Sequence, residues 1–221
     1  MKRALLILML ATMPGLVASA QETSQDSRGK RTFIKFNPSS LISALDITVE
    51  QMLTDKLSVE LGIMGIYTDY PDYVLTKRID YGQKKPRIST GQFVEATGLG
   101  FRAGLRWYLG QSSGVLHAKG TYFQPILFYK KIFYPKENYI INDVTYTGDA
   151  TKNVYGLQLL LGRQFSRGRF VMDPYLGVGL RTKVYNYLAF DNKNGIATPD
   201  NGQLVQVLPS LHLGIKLGLG F

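Results

Sequence analysis

The chain has no cysteine among its 221 residues, only one tryptophan and only two histidines. Without cysteine it has no disulfide scaffold, thiolate metal site, cysteine nucleophile or lipid-modified N-terminal cysteine. His117 and His212 lie far apart in sequence, with no carboxylate cluster beside either, so no metal-ligand spacing is present. Beyond residue 20 no apolar run reaches the roughly 20 residues that a membrane-crossing helix needs. Charged residues are sparse at 19% and unequal, with 26 Lys+Arg against 16 Asp+Glu for a formal +10. With 45% hydrophobic residues, that charge does not describe a disordered chain. A nucleic-acid partner would need a basic groove with stacking aromatics alongside. Here the basic residues are dispersed, so none is expected, and no cofactor is expected either.

What is present begins with an export pattern. Lys2 and Arg3 precede an apolar stretch from Ala4 to Thr12, Pro14-Gly15 breaks it, and Ala18-Ser19-Ala20 offers a small-residue cleavage site. This is the three-part layout of a secretory signal peptide. The expected organisation is therefore a cleaved signal at 1–20, a short segment at 21–30 and one domain over 31–221.

That domain alternates with period two, as strands do when successive side chains point to opposite faces. Val205, Val207, Leu211, Leu213, Ile215, Leu217, Leu219 and Phe221 oppose Gln206, Ser210, His212, Gly214, Lys216, Gly218 and Gly220. The same pattern sets Leu99, Phe101, Leu105 and Trp107 against Gly100, Arg102, Gly104 and Arg106. It sets Met172, Leu176, Val178 and Leu180 against Asp173, Gly177, Gly179, Arg181 and Lys183. Segments at 41–51, 57–67, 122–133 and 154–165 complete the set, and Arg31–Phe36 supplies an eighth strand that turns at Asn37-Pro38-Ser39-Ser40. Short turns near 54–55, 110–120 and 166–169 share one rim. Long loops near 68–95, 135–151 and 187–203 share the other.

An apolar face opposed to a face of glycine and ions fits an eight-stranded antiparallel up-and-down transmembrane β-barrel with a polar lumen. A soluble ligand-binding barrel would turn the apolar face inward, and a soluble sandwich would wet one face. Aromatic residues fall in two expected bands: Trp107, Tyr122, Phe123, Phe165, Phe170 and Phe221 at the short-turn end, and Tyr67, Tyr129, Phe133, Tyr155, Tyr185 and Tyr187 at the other.

With its signal, alternating strands and terminal Gly218-Leu219-Gly220-Phe221, the chain resembles the small outer-membrane β-barrel family of the OmpA/OmpX-like group. The resemblance implies outer-membrane location and contact with lipid and lipopolysaccharide. It also implies that Phe221, Leu219 and Leu217 form the signal read by the barrel-assembly machinery. No peptidoglycan-binding domain is expected beyond Phe221, unlike the longer members of that group.

The expected lumen network is Asp46, Glu50, Glu60, Arg102, Arg106, Lys130, Asp173, Arg181, Lys183, His212 and Lys216. Buried charges must pair or meet water, so a structural ion-pair plug and a gated passage for small anionic solutes both remain open. Ser210 and His212 share a face, as a hydrolytic triad would require, but Asp173 begins its strand near the opposite end and Arg181 is the nearer neighbour. An enzyme is therefore not expected. Residues 138–147 read as a hairpin about Asn142-Asp143, and Asn194-Gly195 as a second tight turn. Tyr70, Tyr73, Tyr81, Tyr139 and Tyr146 are the candidate loop contacts for an extracellular protein or glycan. The expected function is structural or partner-binding through these loops. The alternative is a lipid-active or solute-handling barrel that uses its lumen or lateral face.

Overall fold

A computed structural model describes residues 32–69, 79–80, 94–109, 120–141, 144–193 and 196–221. The expected signal and N-terminal segments, Tyr70, Tyr73, Tyr81 and His117 lie outside these residues, and of Tyr139 only the backbone is described.

In chain order the strands are β1 (Thr32–Phe36), β2 (Ala44–Met52), β3 (Leu57–Asp69), β4 (Ile79–Asp80), β5 (Val94–Tyr108), β6 (Gly120–Phe133), β7 (Glu137–Ile141), β8 (Val144–Gly148), β9 (Thr151–Arg167), β10 (Phe170–Lys193) and β11 (Ile196–Gly220). Eight of them pair antiparallel in the order β1-β2-β3-β5-β6-β9-β10-β11, and β1 pairs again with β11, so the sheet forms a ring. The short β4 lies against β11, while β7 and β8 form a separate two-stranded ribbon.

Alternation in sequence becomes alternation in burial. Along β2 the pattern is strictly buried-exposed, with Asp46, Thr48 and Glu50 inward and Leu45, Ile47 and Val49 outward. The outer surface is mostly apolar, with Lys131 and Arg163 among its few charges: Leu213 is 77% exposed, Leu127 66% and Phe101 57%, whereas Arg106 and Lys216 are fully buried. The inside is narrow, and glycines let large side chains cross it. The Phe128 ring occupies the space that a Cβ on Gly156 would need, and the Tyr122 ring does the same at Gly162. Gly156→Val is therefore expected to cost about 1–3 kcal/mol through forced repacking of Phe128, read as a lower thermal midpoint.

At the turn end the interior is sealed by Phe33, Met52, Tyr108, Tyr122 and Val171. Gly168, with φ +60°, closes the β9–β10 turn in the left-handed region that glycine tolerates. Two expectations need correction. Residues 187–203 are not a loop: β10 and β11 stay in register from Tyr187↔Gly202 to Lys193↔Ile196, leaving only 194–195 between them. A two-residue connection carries the register straight through. The polar residues that suggested a loop belong to a continuous ladder. Tyr122 and Tyr185 also leave the expected outer aromatic bands, because both are buried inside the ring. The ribbon is as read from sequence, with Ile141↔Val144 flanking residues 142–143.

Among the eight ring strands, one is much shorter than the rest. β1 spans five residues before the chain turns through a 3-10 segment at Pro38–Ser40. Proline sits at its start, where no N–H is needed. β1 therefore lines β11 only from Leu217 to Gly220.

Candidate functional site

The register brings the charged residues together at two depths. Glu50 of β2 lies directly opposite Glu60 of β3, Ser58 opposite Arg106 of β5, and Asp173 of β10 opposite Lys216 of β11. Like charges facing each other across a ladder repel, and Arg106 resolves the conflict. One guanidinium nitrogen stands 3.2 Å from Glu50, while the other stands 2.8 Å from Glu60 and 2.9 Å from Asp173. The guanidinium also donates to Gln124 and Gln164 and stacks 3.8 Å from the Tyr122 ring centre.

Lys35 of β1 completes this lower cluster, 2.5 Å from Glu50 and 2.9 Å from Asp173, and it donates to Gln164. Lys216 stands 2.5 Å from Glu60. Hydroxyls fill remaining acceptor positions: Tyr108 and Ser58 donate to Glu50, and Tyr122 donates to Asp173. Three cations meet three carboxylates, every one essentially without solvent contact. Such a network holds a fixed geometry only because each member is satisfied.

Arg102 marks the transition to the upper level, 3.0 Å from Asp46. Asn37, just before the 3-10 turn, donates to Asp46 and to the Tyr175 hydroxyl, tying that turn to the interior. Above it opens a cavity of about 360 Å³. Arg102, Lys130, Lys152, Arg181 and Lys183 line it, with Asp46 and Asp69 as the carboxylates among the described lining residues. Asp69 is already committed, pairing with Lys152 and accepting from the Tyr134 hydroxyl. At this rim, burial and then the Asp69 carboxylate hold the Tyr134 phenol above its ordinary pKa. Asp46 is held by Arg102 and Asn37. Lys130 makes no ion pair or hydrogen bond among the described residues, and its ammonium lies 5.8 Å from the Phe128 ring centre. Among the described residues the chamber's charged lining is therefore mainly basic, and of these side chains Arg181 and Lys183 have partners of their own.

His212 lines this chamber. Its Nε2 lies 2.8 Å from Ser210 Oγ, and Gln158 Nε2 lies 3.3 Å from its Nδ1. An amide N–H facing Nδ1 makes that nitrogen the acceptor, so the proton sits on Nε2 and points at the serine. A general base needs the reverse, with Nε2 accepting from the hydroxyl. Asp173, the carboxylate a triad would need, pairs with Lys216, four residues along β11 from His212, and is bound in the lower cluster. Among the described residues, no group of three or more His, Cys, Asp or Glu side chains could hold a metal ion.

All eleven expected network residues lie on the inner face, but they form two assemblies rather than one. Sequence reading missed Lys35, Gln124 and Gln164 in the lower cluster and Asp69 and Lys152 in the upper chamber. Tyr139 and Tyr146 face each other across the ribbon register. Phe221 and Thr32 exchange backbone hydrogen bonds, while Leu217 and Leu219 pair with Phe36 and Ile34, so the expected assembly-signal residues also form the ring's seam. The chain matches no protein-family model, no curated protein and no solved structure.

Proposed function

We propose that the protein is a non-enzymatic integral outer-membrane β-barrel that is plugged at its turn end and presents its loops and ribbon to extracellular partners. The observation that carries this reading is the inverted polarity of the ring. Leucine, isoleucine, valine and phenylalanine dominate the outside, while charged side chains line the inside, six of them paired with one another in the lower cluster. In water that exterior would be a very large exposed apolar surface; against lipid tails it is the favoured face. Strands of 9 to 25 residues around most of the ring meet the 9–11 that a tilted membrane strand needs. Exposed Trp107, Phe123, Phe165 and Phe170 at one end, and Tyr67, Phe133 and Tyr155 at the other, suit the two interfacial belts.

The export pattern and the family resemblance support the same location. They bring outer-membrane lipid, lipopolysaccharide and the assembly machinery as partners. The β7–β8 ribbon pairs with no other described strand, so its two outer edges can accept a strand from an extracellular protein. The paired lower cluster and the apolar seal beneath it favour a plug over a passage. The orientation of His212 is the observation against hydrolysis.

Two measurements test the proposal. The folded protein should need detergent to stay dispersed, and unboiled samples should migrate differently from boiled ones on a gel. In planar bilayers it should give no sustained openings. A chain that stays monodisperse in plain buffer overturns the membrane reading, and steady conductance overturns the plug.

A further inference from the structure

The outer wall of the ring is not uniform. One groove of about 830 Å³ crosses it, lined by Leu161 of β9, Pro174 and Leu176 of β10, Leu213 and Ile215 of β11, and Pro38 of the 3-10 turn. The register explains its position. Leu161 stands beside Leu176, Leu176 beside Leu213, and Pro174 beside Ile215, so these outward side chains form one band across three strands. Pro174 makes the dip in that band: it is half-buried, whereas Met172 and Leu176 on either side of it are exposed. The 3-10 turn is held against the far bank, because Ser39 Oγ accepts a hydrogen bond from the Ile215 N–H. The groove's volume falls in the range of small-ligand pockets.

Arg163 closes the near bank, with Thr121 of β6 beside it in the ladder. It is one of the few charges on the outer face. Among the described residues its side chain makes no ion pair or hydrogen bond, and its guanidinium carbon lies 5.3 Å from the Phe165 ring centre. Phe165 belongs to the exposed aromatic set at the turn end, so in a membrane the guanidinium stands at headgroup level. The flanking sequence does not reverse this charge. Residues 110–119, which lead into β6, contain Lys119 and no Asp or Glu, and the turn after β9 adds Arg167 and Arg169. Residues 21–31, which lead into β1, hold two acids against three bases.

We infer that this groove and Arg163 together bind one acidic diacyl phospholipid from the leaflet at the turn end. The guanidinium donates two parallel hydrogen bonds to the phosphate, and an acyl chain lies over Pro174 between Leu161 and Ile215. The groove supplies shape for the chain, and the unpaired cation at its edge supplies the choice of head. The inference rests on the membrane reading and adds to it one lipid held at one place.

The test uses the full chain in dodecyl maltoside, titrated with dioleoylphosphatidylglycerol, dioleoylphosphatidylcholine and dioleoylglycerol, with bound lipid counted by native mass spectrometry. The first phosphatidylglycerol should bind at least tenfold more tightly than either of the others. A tenfold excess of inorganic phosphate should not displace it. Arg163→Gln should remove the preference, and Leu213→Ser should weaken phosphatidylglycerol at least fivefold; both side chains are exposed, so neither change touches the interior. Lys136→Gln, on the exposed surface at the other end, should change nothing. Equal binding of phosphatidylcholine, displacement by phosphate, or a preference that survives Arg163→Gln would overturn the inference. A chain that is monodisperse in plain buffer would overturn the membrane reading and the lipid site with it. A chain that needs detergent yet binds the three lipids alike would overturn the site alone.

Discussion

Replacing Arg106 by methionine should destabilise the folded ring by about 3–5 kcal/mol, the scale for breaking a buried charge network by removing one partner. No other side chain in the lower cluster contacts all three of its carboxylates: Arg106 lies 3.2 Å from Glu50, 2.8 Å from Glu60 and 2.9 Å from Asp173. Methionine retains comparable bulk over the Tyr122 ring but provides no donor. Three carboxylates would then share Lys35 and Lys216, with Arg102 at 3.9 Å from Glu60, and Glu50 would face Glu60 across the ladder without the guanidinium that bridges them. The expected readout is a marked fall in the urea midpoint, with the unboiled gel form lost at lower temperature. Arg106→Lys should fall between, because one ammonium cannot reproduce a guanidinium that contacts three carboxylates and two glutamines. Adding Glu50→Gln to Arg106→Met should recover part of the loss, since it removes one of the charges left unpaired. A midpoint equal to the parent's would mean that the cluster is wetted and exchanges its partners with water, and the plug reading would fall with it.

The upper chamber should respond in the opposite way. Lys130 makes no ion pair among the described residues, so Lys130→Gln should leave the urea midpoint close to the parent's. The lower level is held by ion pairs among its own members, so the same kind of change there should be costly.

Much of this was legible in sequence because a ring of strands has only two faces, and period two assigns each residue to one of them. Asp46, Glu50, Glu60, Arg102, Arg106 and Lys216 reached the inner face on that ground alone. Depth was not legible, since it follows from register between strands distant in sequence. Nothing in the order of residues places Lys35 beside Asp173 or Gln164 beside both. Lys35 was missed because β1 is too short for its alternation to be read. Tyr122 was assigned outward because aromatic residues near a strand end suggest an interfacial belt, whereas here glycine at 162 makes room for the ring inside. Asp69 and Lys152 were hidden by expected loop boundaries that cut into strands. The short pairing at the seam was least visible of all. It follows from β1 stopping after five residues, and its consequence appears on β11, at the far end of the chain.

That seam carries the second large effect. Deleting Gly218–Phe221 should abolish the folded form, both in cells and in refolding from urea into detergent. Of the four residue pairs joining β1 to β11, three would go, together with the bonds that Phe221 and Thr32 exchange. The ring would then have a long unpaired edge at β11 and a five-residue β1 held on one side only, and in the proposed membrane setting hydrocarbon offers such edges no hydrogen bonds. Lys35, which faces Gly218, would lose the strand that packs beside it, exposing the lower cluster. Phe221→Ala separates this physical role from the assembly signal implied by the family resemblance. The substitution retains both backbone bonds to Thr32 and removes only a ring that is 59% exposed. Refolding in detergent, where no assembly machinery acts, should proceed as for the parent chain, while the amount of folded protein recovered from the cell envelope should fall several-fold. Equal loss in both settings would make the terminal ring part of the fold itself, and no loss in either would remove Phe221 from the assembly signal.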